Sequence, residues 1–191
     1  LAAFYIDYQE RQFETQFLVN GVVQEEITNV GDSVSYGIEA GINFNVTDDL
    51  TLSGGAGWLH AELDDAAAMF NLAPVDGLAV PHSPDVTANA ALDYRRPIGN
   101  GLEIGFRADV SYTGSFYWDI PNTHQQDAYA LVNLRLSLGD ADGAWEVSVR
   151  GENIFDEGYY NEYFPDVFGP GASLGAPGKP AAVMGALRLA F

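Results

Sequence analysis

Cysteine is absent from the 191 residues, which excludes a disulfide framework and any thiolate metal site. Base is scarce: 8 Lys and Arg face 27 Asp and Glu, for a formal net charge of −19. So acidic a chain has no attractive field for nucleic acid, and no nucleic-acid partner is expected. No apolar run approaches the ~18 residues that a membrane-spanning helix needs, and mean hydropathy is −0.04. The spacings G-x-S-x-G, H-E-x-x-H and the phosphate-binding loop do not occur, so the sequence reads as no enzyme, with no cofactor and no metal. There is no initiator Met and no signal peptide, and Leu1-Ala2-Ala3-Phe4-Tyr5 already reads as strand. A fragment or a processed chain is expected.

Aromatics at 13% together with 21 glycines are what the chain has in quantity. Their arrangement is clearest in Ala181 to Phe191. Ala181, Val183, Gly185, Leu187, Leu189 and Phe191 alternate with Ala182, Met184, Ala186, Arg188 and Ala190. Ending a soluble sheet on such an edge strand invites aggregation. In a transmembrane barrel one face meets lipid, the other a polar lumen, and the last aromatic joins the interfacial girdle. Similar alternation recurs over 1–9, 34–46, 50–58, 86–94, 102–116, 128–138 and 145–155, which makes eight strands. Between 9 and 34 lies polar sequence with the hairpin dipeptide Asn20-Gly21. Short turns at 47–49, 97–101 and 139–143 alternate with longer connections at 64–83, 117–126 and 156–179. The fold expected is therefore all-β, a transmembrane antiparallel up-and-down barrel with its short turns on the periplasmic side.

The faces support that expectation. Asp7, Glu39, Asp93, Glu103, Arg107, Asp109, Arg135, Glu146, Arg150, Glu152 and Arg188 all fall opposite the apolar face. Burying so many charges in a dry sandwich core would cost several kcal/mol each unless paired. In a wet or plugged lumen they stay solvated or bridged. Glu103, Arg107, Asp109, Arg135, Arg150, Glu152 and Arg188 are the lumen-facing residues this reading emphasises, and their mixed signs suit ion pairs with a second body better than an open pore.

Near the carboxyl end, Asn153-Ile154-Phe155-Asp156-Glu157-Gly158-Tyr159 resembles the N-L-F-D-x-x-Y signature of TonB-dependent outer-membrane receptors. Pro177-Gly178-Lys179-Pro180, followed by Gly185 to Phe191, is similar to that family's P-G-x-P-R…F ending, with Lys179 and Ala181 as small departures. Ser35 to Ala40 resembles its G-x-E-x-E strand, and Val80-Pro81-His82-Ser83-Pro84 its P-x-x-P segment. The resemblance implies that residues 1–191 form the carboxyl-terminal portion of a barrel of about 22 strands with a plugged lumen, the plug domain and TonB box lying outside this sequence. It implies a receptor in the outer membrane of a Gram-negative bacterium. Such a receptor imports a scarce, bulky nutrient, most often a ferric siderophore, with TonB-coupled energy. Its partners would be outer-membrane lipid, the plug and amino-terminal strands of the same receptor, the TonB complex through the plug, and the barrel insertion machinery, with Phe191 as the assembly signal. The competing reading is a self-contained eight-stranded barrel with a structural or adhesive role.

His60, His82 and His124 are far apart in sequence and read as girdle or loop residues. Asp48-Asp49 and Asp140-Ala141-Asp142-Gly143 lack the downstream Glu of a calcium loop and read as turns. Asp64-Asp65 reads as a solvated loop rather than a divalent-cation site. The 156–179 loop is the richest in recognition chemistry. Tyr163, Phe164, Asp166 and Phe168 there, and Trp118 in the preceding loop, are the candidates for contact with a bulky ligand, because flat aromatic area is ordered at low entropic cost. Tyr159 and Tyr160 read equally well as an extension of the girdle.

Overall fold

The computed structural model describes residues 1–65, 69, 70 and 73–190, the side chains of 15–18, 23, 28 and 69 excepted; the expectation for Phe191 lies outside them. Fourteen strands follow in chain order: β1 Ala2–Val19, β2 Val22–Asn45, β3 Leu50–Leu63, β4 Met69–Phe70, β5 Ala73–Pro74, β6 Val86–Gly99, β7 Leu102–Thr113, β8 Phe116–Tyr117, β9 Gln125–Gln126, β10 Tyr129–Asp140, β11 Trp145–Glu152, β12 Tyr160–Phe164, β13 Leu174–Pro177 and β14 Ala182–Leu189. Eight of them form one antiparallel sheet in the order β1-β2-β3-β6-β7-β10-β11-β14. The other six make two-stranded ribbons inside the three long loops. Each wall strand pairs with the next wall strand in sequence, an up-and-down meander. Strands β1 and β14 stand at the two ends of the order, each paired on one side.

Two adjacent rows across the sheet show how the alternation works. Phe44, Leu52, Leu92, Ala108, Leu134, Gly151 and Val183 are successive cross-strand partners, all apolar. One residue along, the row is Asn45, Thr51, Asp93, Arg107, Arg135, Arg150 and Met184. Period two sends these rows to opposite faces. The apolar face is bare of protein, with Ile42 70%, Leu187 65% and Val183 78% exposed. A continuous exposed apolar surface on this scale is what lipid covers. Tyr5 and Tyr36 stack at 6.2 Å, and Trp58 and His60 lie 5.9 and 4.9 Å from Tyr36, an aromatic band toward the long-loop end.

Turn chemistry closes the short end. Asn100 and Gly101 take positive φ of 53° and 72°, the left-handed pair of a tight hairpin. Gly143 N–H donates to the Asp140 carbonyl at 2.9 Å, and Ala144 N–H to the Asp140 carboxylate at 3.2 Å, so these acids do cap a turn.

Two expectations are corrected in β1 and β2. The polar stretch between 9 and 34 is strand: β1 runs on to Val19, and Asn20 and Gly21, at φ 53° and 81°, turn directly into β2. At ~3.4 Å per residue the 24 residues of β2 extend roughly 80 Å, well beyond a ~30 Å hydrocarbon layer. The far part is a two-stranded ribbon whose described side chains from Val19 to Ile27 are exposed at odd and even positions alike, so nothing imposes an apolar period there. The face of β1 is also reversed. Tyr5 pairs Tyr36 and Asp7 pairs Val34, which puts Asp7 on the apolar side, while Phe4 pairs Gly37 and packs its ring over it. Aromatics on both sides of β1 made its own alternation ambiguous; the register with β2 decides it.

Candidate functional site

The polar face of the sheet is a wall laced by ion pairs, some within a strand and some between neighbouring strands. Arg107 lies 3.5 Å from Asp93 and 3.6 Å from Asp109, Arg95 bridges Asp93 and Glu103, Arg150 meets Glu152 at 3.2 Å, and Arg135 hydrogen-bonds Glu146. Arg188 sits on the end strand beside Glu146 in register, with no described carboxylate within 4 Å. A hollow of about 550 Å³ on this face is lined by Ser53, Asn89, Arg107, Asp109, Asn133, Arg135 and Arg150. The pairs are part-exposed, Arg107 at 47%, so each contributes ~1 kcal/mol or less. Their role is to hold a polar surface in a fixed pattern.

The three long loops converge at the other end. Loop 64–85 folds back along β3, where Leu63 N–H donates to Leu78 O at 2.9 Å and Val80 N–H to Ala61 O at 3.1 Å. It thereby builds a small core of Val30, Ala61, Leu63, Val75, Val80 and Ile120. Ile120 belongs to loop 114–128, which is stapled to loop 64–85 by Asn122. The Asn122 amide donates to Ala79 O at 2.9 Å and accepts from Ala79 N–H at 2.8 Å. One side chain thus copies the hydrogen bonding of a neighbouring strand.

Loop 114–128 is itself tightened by Asp119. One carboxylate oxygen accepts from the backbone N–H of Thr123 (3.0 Å) and His124 (2.9 Å), and the other meets the Thr123 hydroxyl and His124 Nδ1 (3.1 Å). Burial pushes the Asp119 pKa up, but these donors outweigh it and hold the carboxyl below the ordinary aspartate range.

Loop 153–181 is closed at its neck by the Asn153-Ile154-Phe155-Asp156 motif. Asn153 is 4% exposed and has φ 45°. Its amide donates to Glu157 O and Lys179 O, both at 2.9 Å, and accepts from Glu157 N–H at 2.9 Å. Its backbone N–H donates to Asn133 Oδ1 on β10. Asp156 accepts from Ala181 N–H at 2.8 Å, which ties the other side of the neck. Tyr159 stacks on Tyr129 at 4.7 Å and lies where any Cβ on Gly178 would stand, so the glycine of Pro177-Gly178-Lys179-Pro180 makes room for a ring.

Between the loops the rings form one cluster. Trp118 lies 4.9 Å from Phe116, 5.2 Å from His82 and 6.1 Å from Tyr163; Tyr163 in turn is 5.2 Å from Tyr160 and 6.2 Å from His124. Each of the three loops contributes at least one ring. His82 holds a left-handed φ of 58°, and its N–H donates to Tyr117 O. Burial lowers its pKa, with Glu162 pulling the other way, so the ring is held toward its neutral form.

The structure distributes the sequence candidates unequally. Tyr163 is half-buried within the cluster, and Trp118, 7% exposed, is packed at its centre. Phe164 is half-buried at the end of β12. Asp166 holds a turn, accepting from Gly171 N–H at 2.6 Å and donating its own N–H to Ser173 Oγ at 3.0 Å. Phe168 stands 49% exposed at the loop tip. His82, Phe116, His124 and Tyr160 complete the cluster, and sequence reasoning did not place them there. They come from segments up to 78 residues apart in numbering, and no local spacing marks them. Among the described residues no three His, Cys, Asp or Glu side chains come together as a metal site.

The family described as TonB dependent receptor-like, beta-barrel matches residues 1–154. Among solved structures, the ferric yersiniabactin uptake receptor FyuA from Yersinia pestis superposes with a TM-score of 0.73 at 16% identity, over 97% of this chain and 29% of that one. The siderophore receptor PiuA from Acinetobacter baumannii gives 0.68 at 18%, over 98% and 25%. The copper transporter OprC gives 0.70 at 15%, over 99% and 29%. The chain thus spans little more than a quarter of these proteins' length, and at such identities the likeness is one of fold. A meandering sheet with one apolar face, one charged face and long loops at one end agrees with the family match across four-fifths of the sequence: this chain belongs to the TonB-dependent receptor β-barrel family of the Gram-negative outer membrane.

Proposed function

We propose that residues 1–191 supply the carboxyl-terminal part of the wall and mouth of an import receptor whose cargo is a scarce, bulky nutrient, a ferric siderophore being the first candidate. The observation that carries this reading is the ring cluster built from three loops at the mouth, above a charged inner wall. Rigid aromatic faces suit a flat or bulky ligand, and Tyr163, Phe164 and Phe168 are the contacts we assign to it. Trp118 acts as the packed base under Tyr163, and Asp166 as the turn that presents Phe168. The energy of import would come through a plug domain and TonB, which these residues do not carry. Arg107, Arg135, Arg150, Arg188, Glu103, Asp109 and Glu152 would then face that plug. The one-sided pairing of β1 and β14 favours a larger barrel over a self-contained eight-stranded one.

The test is iron-limited growth and uptake of radiolabelled ferric chelates by cells with and without the full-length receptor. In the same receptor, Tyr163→Ala with Phe168→Ala should weaken cargo binding ~10- to 100-fold, as truncation of recognition aromatics does. Uptake that does not depend on the receptor would refute the reading. Phe191 belongs to a separate step. Its deletion removes one aromatic side chain, worth a few kcal/mol at most, yet should severely cut the amount of heat-modifiable, membrane-inserted protein. Normal membrane levels of that variant would remove Phe191 as an assembly signal.

A further inference from the structure

The eight basic residues are unevenly placed. Arg95, Arg96, Arg107, Arg135, Arg150 and Arg188 all lie in wall strands, and the first five are engaged with carboxylates of the wall or of its turn at Asp49. There remain Arg11, farther along β1, and Lys179. Arg11 is committed to the rings of Tyr8 and Phe13, at 5.6 and 5.2 Å, and to Ser33 Oγ at 3.1 Å. The three loops that build the ring cluster carry acids in every segment, among them Asp76, Asp119, Asp127, Glu157, Glu162 and Asp166, and Lys179 as their only Lys or Arg. His82 adds no charge near neutrality, because burial lowers its pKa.

Two independent features of the mouth therefore have one sign. Aromatic faces present the negative side of their quadrupole, and the carboxylates around them sum to a negative potential that concentrates cations and repels anions. An anionic cargo needs guanidinium or ammonium donors at the place where it is captured, and this arc of the mouth sets the single ammonium of Lys179 against many carboxylates. Resting on the import reading above, we infer that the cargo recognised here is neutral or cationic, such as a ferric tris-hydroxamate, and that trianionic ferric tris-catecholates are disfavoured.

The experiment has one arm that needs no cargo. In the full-length receptor, Phe168→Cys places a thiol at the exposed loop tip of a stretch that otherwise has no cysteine. Its modification rates with a cationic trimethylammonium methanethiosulfonate and an anionic sulfonate analogue are each normalised to a small free thiol. The cationic reagent should react about tenfold faster at low salt, a ratio that collapses toward one in ~0.5 M NaCl. A ratio at or below one overturns the inference. In the second arm a ferric tris-hydroxamate and a ferric tris-catecholate are titrated by intrinsic fluorescence. Tighter binding of the hydroxamate by about tenfold is expected, with added salt weakening any cationic chelate; tighter binding of the catecholate overturns the cargo class whatever the thiol shows. A cation-selective thiol in a receptor that binds neither chelate would remove the iron-chelate reading and leave the charge selectivity standing.

Discussion

Replacing Asn153 by alanine in the full-length receptor is expected to cost about 3–5 kcal/mol and to release the neck of loop 153–181. The amide is almost fully buried and makes three hydrogen bonds that no other group can supply. Its removal strands the Glu157 N–H and the Glu157 and Lys179 carbonyls, and a buried polar group left unsatisfied costs ~1–3 kcal/mol. Alanine must also hold φ near 45°, where asparagine is tolerated and a β-carbon without a polar end is strained. Asn153→Asp retains the acceptor toward Glu157 and loses both donations, so it should lie between the two. Thermal unfolding in detergent measures the stability, and protease cleavage within 157–179 measures the loop. A loss below ~1 kcal/mol with an uncut loop would mean that the neck is held by Asp156 and Tyr159 alone.

The same residue shows where a sequence stops speaking. Asn153 stands in a motif that the resemblance singled out, and it follows directly on β11, which ends at Glu152 where the alternation read on to 155. What it does there depends on Lys179, 26 positions later, and on Asn133, 20 earlier. Neither partner can be found by spacing, because both are brought in by pairing across the sheet. The wall strands were legible for the opposite reason. Each has lipid on one side and charge on the other, so every second residue reports the environment, and Glu146, Arg150 and Arg188 need no partner to be assigned to a face. Where that asymmetry lapses the signal lapses too. The far end of the β1–β2 ribbon is exposed at odd and even described positions alike and reads as loop, and β1 near Phe4 and Tyr5 is aromatic on both faces and reads inverted.

The loops obey a third rule. Their core of Val30, Ala61, Leu63, Val75, Val80 and Ile120 is small, and β3 contributes Ala61 and Leu63 to it. Asn122 then adds the missing backbone partner for Ala79. Two loops are thus fixed to the wall by packing and hydrogen bonds. Above its neck, loop 153–181 leans on them through rings and one hydrogen bond, Tyr160 N–H to Gln126 at 3.2 Å. Binding energy spent at the mouth would move that loop before the others, since rings slide more cheaply than a buried amide pair breaks.

The wall makes the second large prediction. Leu134 lies at the centre of β10 between Ala108 and Gly151 on the apolar face, whereas Asn133, one residue back, donates to Asp109 at 2.7 Å on the charged face. Leu134→Arg forces a guanidinium into hydrocarbon near the membrane midplane and should destabilise the inserted receptor by roughly 2–4 kcal/mol. Asn133→Arg should cost about 1 kcal/mol. It loses the contacts to Asp109 and to the Asn153 N–H, each worth ~1 kcal/mol net, but sets a cation beside Asp109 that offsets part of the loss. Unfolding titrations of both variants in lipid vesicles give the comparison directly. Because a strand shifted by one residue exchanges its two faces completely, equal costs, or a larger cost at Asn133, would mean that the register of β10 against β7 and β11 is off by one and that the lipid face has been assigned to the lumen.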